Sequence, residues 1–125
     1  MNAELPHSYR VMVMDDEPLV LSSLTLMLDS LGHTVIAAKD GDEAVQAVSK
    51  HGCCHFAILD LMIQNGRGGM EIAEQLRDQC PDMKLILSSG FSDDQITAEH
   101  DLRFDGRLLK PFRLHNLEML LGQLR

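Results

Sequence analysis

The side chains with chemistry to offer are Asp15, Asp16 and Glu17, then Asp60, then Ser88 and Ser89, then Lys110. Each group directly follows a short apolar run: RVMVM (10–14), FAIL (56–59), KLIL (84–87) and RLL (107–109). If the first and third runs are neighbouring strands, several carboxylates meet within a few ångströms. At about 4 Å, a like-charge pair costs roughly 4 kcal/mol at an effective dielectric of 20. A cation bound among them would offset that repulsion. Carboxylate oxygens without nearby His or Cys suit a hard, oxygen-loving ion, Mg2+ or Mn2+. A plainer account is that acids end strands and begin helices, where the helix dipole favours them. It serves any one of these residues, but not the whole set at matching strand ends.

The elements that must position this set follow from periodicity. Pro18 stands at a first helical position, Val20, Leu24, Met27 and Leu31 recur at helical spacing, and Gly32 supplies a stop. HTVIAA (33–38) is a second strand, and Asp40-Gly41 opens a helix that stops at Gly52. The glycine-rich QNGRGG (64–69) precedes a helix carrying Ile72, Ala73 and Leu76, which ends before Pro81. A weakly periodic helix is expected over 92–103, with Asp93-Asp94 as its cap. A Leu-rich amphipathic helix closes the chain through Leu117, Leu120, Leu121 and Leu124. Strands and helices thus alternate five times. Strands of four or five apolar residues suit burial on both faces, hence a parallel sheet between two helical layers, an α/β/α architecture. In such doubly wound sheets, functional groups collect at the carboxyl ends of the strands.

Composition sets the bounds. A chain of 125 residues with 45% hydrophobic residues has enough apolar surface for one domain core. We read 1–9 as a flexible leader and 10–125 as a single domain, with no room for a second effector or catalytic domain. A net charge of −8, from 19 acids against 11 Lys and Arg, argues against nucleic acid and anionic membrane as partners. No apolar run approaches the roughly 20 residues of a membrane helix, and the start carries no apolar signal core. Three cysteines are too few, and odd in number, for a disulfide framework, so a reducing cytoplasm is expected. HGCCH (51–55) gathers zinc-type donors, although small buried thiols at a strand start are the simpler reading.

At this point the sequence resembles the receiver domain of two-component response regulators. The resemblance runs from about Arg10 to Leu121, with VMVMDDEP, FAILDLM, LILSSGF and LLKPF in order and near the family's spacing. It implies a flavodoxin-like (βα)5 fold with strand order 2-1-3-4-5. It implies that Asp60 accepts a phosphoryl group from a histidine kinase or histidine phosphotransfer protein. Asp16 would bind Mg2+ directly and Asp15 through water, with Asp60 and the Met62 backbone carbonyl completing the protein's share. Ser89, rather than Ser88, aligns with the hydroxyl that turns toward the phosphoryl oxygen. Lys110 would pair with that group, and the Lys110–Pro111 bond would be cis. The output would be contact with a downstream protein target, from a monomer or a weak phosphorylation-dependent dimer.

Several positions depart from the family pattern. Gln64 replaces the usual proline four residues after Asp60, while the expected glycine stands at Gly68. Arg107 replaces a common Tyr or Phe that rotates inward during switching; an arginine is harder to bury, and a solvent-exposed arginine with no switching role is the rival reading. Met62 and Phe91, two residues beyond Asp60 and Ser89, cannot orient an attacking water, which suggests slow self-dephosphorylation. Two other functions fit the residues less well. An aspartate-nucleophile phosphatase wants a second acid where Met62 stands, and a cap region. A flavodoxin-like cofactor binder wants a phosphate loop after the first strand, where Asp15-Asp16-Glu17 would repel phosphate.

Overall fold

The computed structural model describes residues 8–90 and 103–124. Five parallel strands, β1 (Arg10–Met14), β2 (Thr34–Ala38), β3 (Phe56–Asp60), β4 (Lys84–Ser89) and β5 (Gly106–Leu109), form one sheet in the order β2-β1-β3-β4-β5. The described helices are α1 (Pro18–Ser30), α2 (Gly41–His51), α3 (Gly69–Gln79) and α4 (Leu114–Leu124). The helix expected over 92–103 falls, apart from Arg103, outside the described residues, as does Phe91.

Local chemistry sets the element ends. Pro18 opens α1, where a missing N–H costs no hydrogen bond. The Asp40 carboxylate caps α2 by accepting from the Glu43 N–H at 2.9 Å. Beyond α1 and α2, Gly32 and Gly52 take φ of +89° and +88°, a region glycine enters without steric penalty.

Alternation along the strands separates the core into two layers. Val11, Val13, Phe56, Ile58, Ile86 and Leu108 pack against Leu24 and Leu28 of α1 and Leu117 and Leu121 of α4. Met12, Met14, Ala57, Leu59 and Leu85 face Ala44 and Val48 of α2 and Ile72, Ala73 and Leu76 of α3. The strand order turns back between β1 and β3, which places the ends of both beside one crevice.

At the amino end of the sheet, the chain is anchored where it enters β1. The N–H groups of Tyr9 and Arg10 donate to Nδ1 of His33 (3.1 Å) and of His55 (3.0 Å). Near the start of β4, Arg77 bridges Asp105 at 2.9 Å and the Met83 carbonyl at 2.9 Å.

The cysteines require a correction. Cys53 and Cys80 form a disulfide with Cα atoms 5.7 Å apart, leaving Cys54 as a buried thiol. Counting cysteines could not anticipate this, because α2 and α3 lie side by side and bring together residues 27 apart in sequence. No described helix is long and apolar enough to cross a membrane.

Candidate functional site

The buried polar residues among those described are Asp15, Asp60, Ser88 and Ser89, all at carboxyl ends of strands. Asp15 follows β1, is 1% exposed, and is held from two sides. Its Oδ1 accepts from the Glu17 N–H at 2.9 Å and its Oδ2 from the Lys110 ammonium at 3.0 Å. Asp16 Oδ2 accepts from the Gln64 N–H at 3.1 Å, which ties the loop after β3 to the loop after β1. Asp60 ends β3, and its Oδ1 lies 3.3 Å from Lys110 Nζ. Lys110 reaches across from the end of β5, and its bond to Pro111 is cis.

One carboxylate oxygen from each of Asp15, Asp16 and Asp60 lies within 4.8 Å of the others. At that separation a like-charge pair repels by about 3–4 kcal/mol at an effective dielectric of 20. Lys110 offsets part of this. Burial first, and then the neighbouring Asp15 charge, push the Asp60 carboxyl up to about 6 despite the pull of Lys110. Burial works against the Lys110 charge, but the Asp15 and Asp60 carboxylates outweigh it and hold its pKa above the ordinary lysine value. Three hard oxygen donors so close together fit a divalent cation of the Mg2+ type. The zinc-type motif does not assemble: Cys53 is in the disulfide, Cys54 is buried, and His55 Nδ1 accepts from Arg10.

A cleft of about 690 Å3 opens over the acids, bordered by Asp16, Asp60, Met62, Gln64 and Lys110. Met62 stands at its rim with 72% of its surface exposed. The loop beneath depends on a small residue: a Cβ on Gly68 would collide with the Leu61 carbonyl oxygen. The glycine lets the chain fold back against Leu61 and Met62 before α3 begins.

The two serines occupy different settings. Ser89 is fully buried, and its Oγ accepts from Arg107 Nε at 3.4 Å. Arg107 is partly buried on β5, at hydrogen-bonding reach of the hydroxyl rather than turned wholly to solvent. Ser88, which the family resemblance passes over in favour of Ser89, lies directly opposite Asp60 in the β3–β4 register. Paired residues of a parallel sheet point to the same face, so the register was needed to single Ser88 out. Phe91 lies outside the described residues.

Comparison with known proteins agrees with this geometry. The family model described as "Response regulator receiver domain" matches residues 11–121. The transcriptional regulatory protein TcrA of Mycobacterium tuberculosis is 36% identical over 118 residues, covering 93% of this chain and 44% of the relative. Response regulator RR06 of Streptococcus pneumoniae is 30% identical over 105 residues, covering 83% and 47%. Among solved structures, the NtrX receiver domain of Brucella abortus superposes with a TM-score of 0.84 at 22% identity, covering 91% of this chain and 96% of that one. TrrA of Thermotoga maritima, determined in complex with Mg2+-BeF, gives 0.80 at 26% identity, covering 93% and 98%.

The chain belongs to the response regulator receiver domain family. It is a signalling module of two-component systems, with the flavodoxin-like fold of that family, rather than a conventional enzyme. It spans about half the length of the curated relatives it matches. One expectation is thereby overturned. Net charge argued against nucleic acid as a partner, yet relatives such as TcrA are named transcriptional regulators. The charge of a receiver domain does not determine what a protein twice its length binds.

Proposed function

We propose that this receiver domain is a phosphoacceptor switch in which Asp60 takes a phosphoryl group from a histidine kinase or phosphotransfer protein. The observation that carries this reading is the meeting of Asp15, Asp16 and Asp60 around one point, with Lys110 bridging two of them. Asp15, Asp16, Asp60 and the Met62 carbonyl would hold Mg2+, which when bound neutralises charge on the phosphoryl oxygens.

A free Asp60 carboxylate oxygen attacks phosphorus in line, the P–O bond forms, and the P–N bond to the donor imidazole breaks, its electron pair returning to the ring. Such transfer asks the protein mainly for positioning and charge stabilisation, which the held carboxylates and the Lys110 ammonium provide. Phosphorylation adds charge and acceptor oxygens, so Lys110 and Ser89 gain partners there and the gain biases a two-state change. Ser89 leaves Arg107 in doing so, and Arg107 on β5 passes the change outward. Hydrolysis of the acyl phosphate is slow, because the Met62 side chain at the cleft rim has no strong donor or acceptor to orient water. Such chemistry suits a cytoplasmic setting, where phosphodonors are made.

The test is incubation with acetyl phosphate and Mg2+, followed by intact mass. A single added phosphoryl group, absent in Asp60→Asn and in EDTA, is the expected result. Addition that survives Asp60→Asn overturns the assignment, and decay within seconds overturns slow hydrolysis.

A further inference from the structure

Ser88 stands out among the buried polar groups. It is 1% exposed, and its Oγ has no hydrogen-bond partner among the described residues. A buried hydroxyl in that condition carries a free-energy penalty, since most such groups find a partner in native proteins. Its backbone carbonyl is engaged, accepting from the Leu61 N–H at 3.0 Å, so it is the side chain that is left over.

The register says where that hydroxyl stands. Asp60, Ser88 and Leu108 lie in one row across β3, β4 and β5, so their side chains share a face of the sheet. Lys110, two residues beyond Leu108, reaches from β5 to Asp60 on β3 and Asp15 after β1. With strands about 4.8 Å apart, its methylenes must cross the carboxyl end of β4, the strand between. Ser88 therefore stands in the row of the nucleophile, on the strand that Lys110 spans. Ser89, the next residue, points to the other face and is already engaged by Arg107.

We propose that Ser88 is a second hydroxyl of the phosphoryl site, unsatisfied at rest and hydrogen-bonded to an oxygen of the phosphorylated Asp60 side chain. The inference rests on Asp60 being the phosphoacceptor. In the resting state the Lys110 ammonium holds Asp60 Oδ1, and the Ser88 hydroxyl makes no hydrogen bond among the described residues. Phosphorylation brings acceptor oxygens into the cleft and gives it a partner. Ser88 thus acts on the equilibrium from both ends, raising the free energy of the resting state and lowering that of the phosphorylated one. A residue that merely fills space would not.

The test uses Ser88→Ala and Ser88→Thr, with beryllofluoride and Mg2+ as the probe of the phosphorylated state. Ser88→Ala removes the orphan hydroxyl. Its resting-state unfolding equilibrium, measured in urea with EDTA, should favour the folded form by about fivefold over wild type. Its beryllofluoride affinity should fall by about tenfold, the worth of a charge-assisted hydrogen bond. Ser88→Thr, which keeps a hydroxyl, should restore most of that affinity. Two results overturn the proposal: Ser88→Ala binding beryllofluoride within twofold of wild type, or Ser88→Ala being less stable than wild type at rest. The phosphoacceptor assignment fails separately, by wild type not binding beryllofluoride or Asp60→Asn binding it equally well.

Discussion

Replacing Asp60 by Asn should make the metal-free protein more stable, although Asp60 is the phosphoacceptor we propose. The folded state holds the Asp60 proton more tightly than the unfolded chain does, since its pKa rises from 3.8 to about 6. For a carboxyl shifted upward, stability falls as pH rises through that window, and the full penalty is present above pH 6. At 1.36 kcal/mol per pKa unit the penalty is about 3 kcal/mol. It already includes the attraction of Lys110. Solvent relaxation in the open cleft reduces it to about 1.5–3 kcal/mol. Asparagine carries no charge and occupies the same volume, so the variant sheds the penalty. The assay is urea unfolding in EDTA at pH 7.5, where the variant midpoint should lie about 1 M above wild type. The difference should vanish toward pH 4, where Asp60 of wild type is protonated. Adding Mg2+ should stabilise wild type more than the variant. Equal or lower stability of Asp60→Asn at pH 7.5, or a gap that persists at pH 4, refutes the picture of an acid cluster frustrated without its cation.

Further consequences can be measured alongside. Gly68→Ala forces a Cβ against the Leu61 carbonyl oxygen; it should destabilise by about 1–3 kcal/mol and weaken Mg2+ binding seen by calorimetry, whereas unchanged binding would show the loop to be independent of the site. Burial lowers the His33 pKa below its ordinary 6.5 while its Nδ1 accepts from Tyr9. This contribution is complete above pH 6.5 and lost as pH falls below it, and the loss should be smaller in His33→Gln by urea unfolding at pH 7.5 and 5.5. Reduction of Cys53–Cys80, or Cys53→Ser, opens a loop of 27 residues and should cost about 3–4 kcal/mol, read as a lower urea midpoint in dithiothreitol; an unchanged midpoint would deny the bridge a stabilising role.

Much of the chemistry was legible because acids, hydroxyls and lysine each follow an apolar run, and apolar runs of that length become strands. Alternation of β and α elements required only the 3.6-residue and two-residue periods of hydrophobic burial. The terminating glycines Gly32 and Gly52 lie where the helical spacing stops, and both take positive φ. Composition misled in two places. Cysteine count says nothing of proximity, and the charge of one domain does not determine what a longer protein contacts.

Sequence by itself therefore determined which side chains stand at the ends of strands, because that is a property of local pattern. Tertiary structure decided which strands are neighbours, and with that everything depending on distance. It set Asp60 beside Asp15, raised the pKa of the one through burial and the charge of the other, and laid Lys110 between them. It placed Ser88, not Ser89, in the row of Asp60, and joined Cys53 to Cys80. Coulomb energy and hydrogen bonding act over a few ångströms through space, and separation along the chain has no bearing on either.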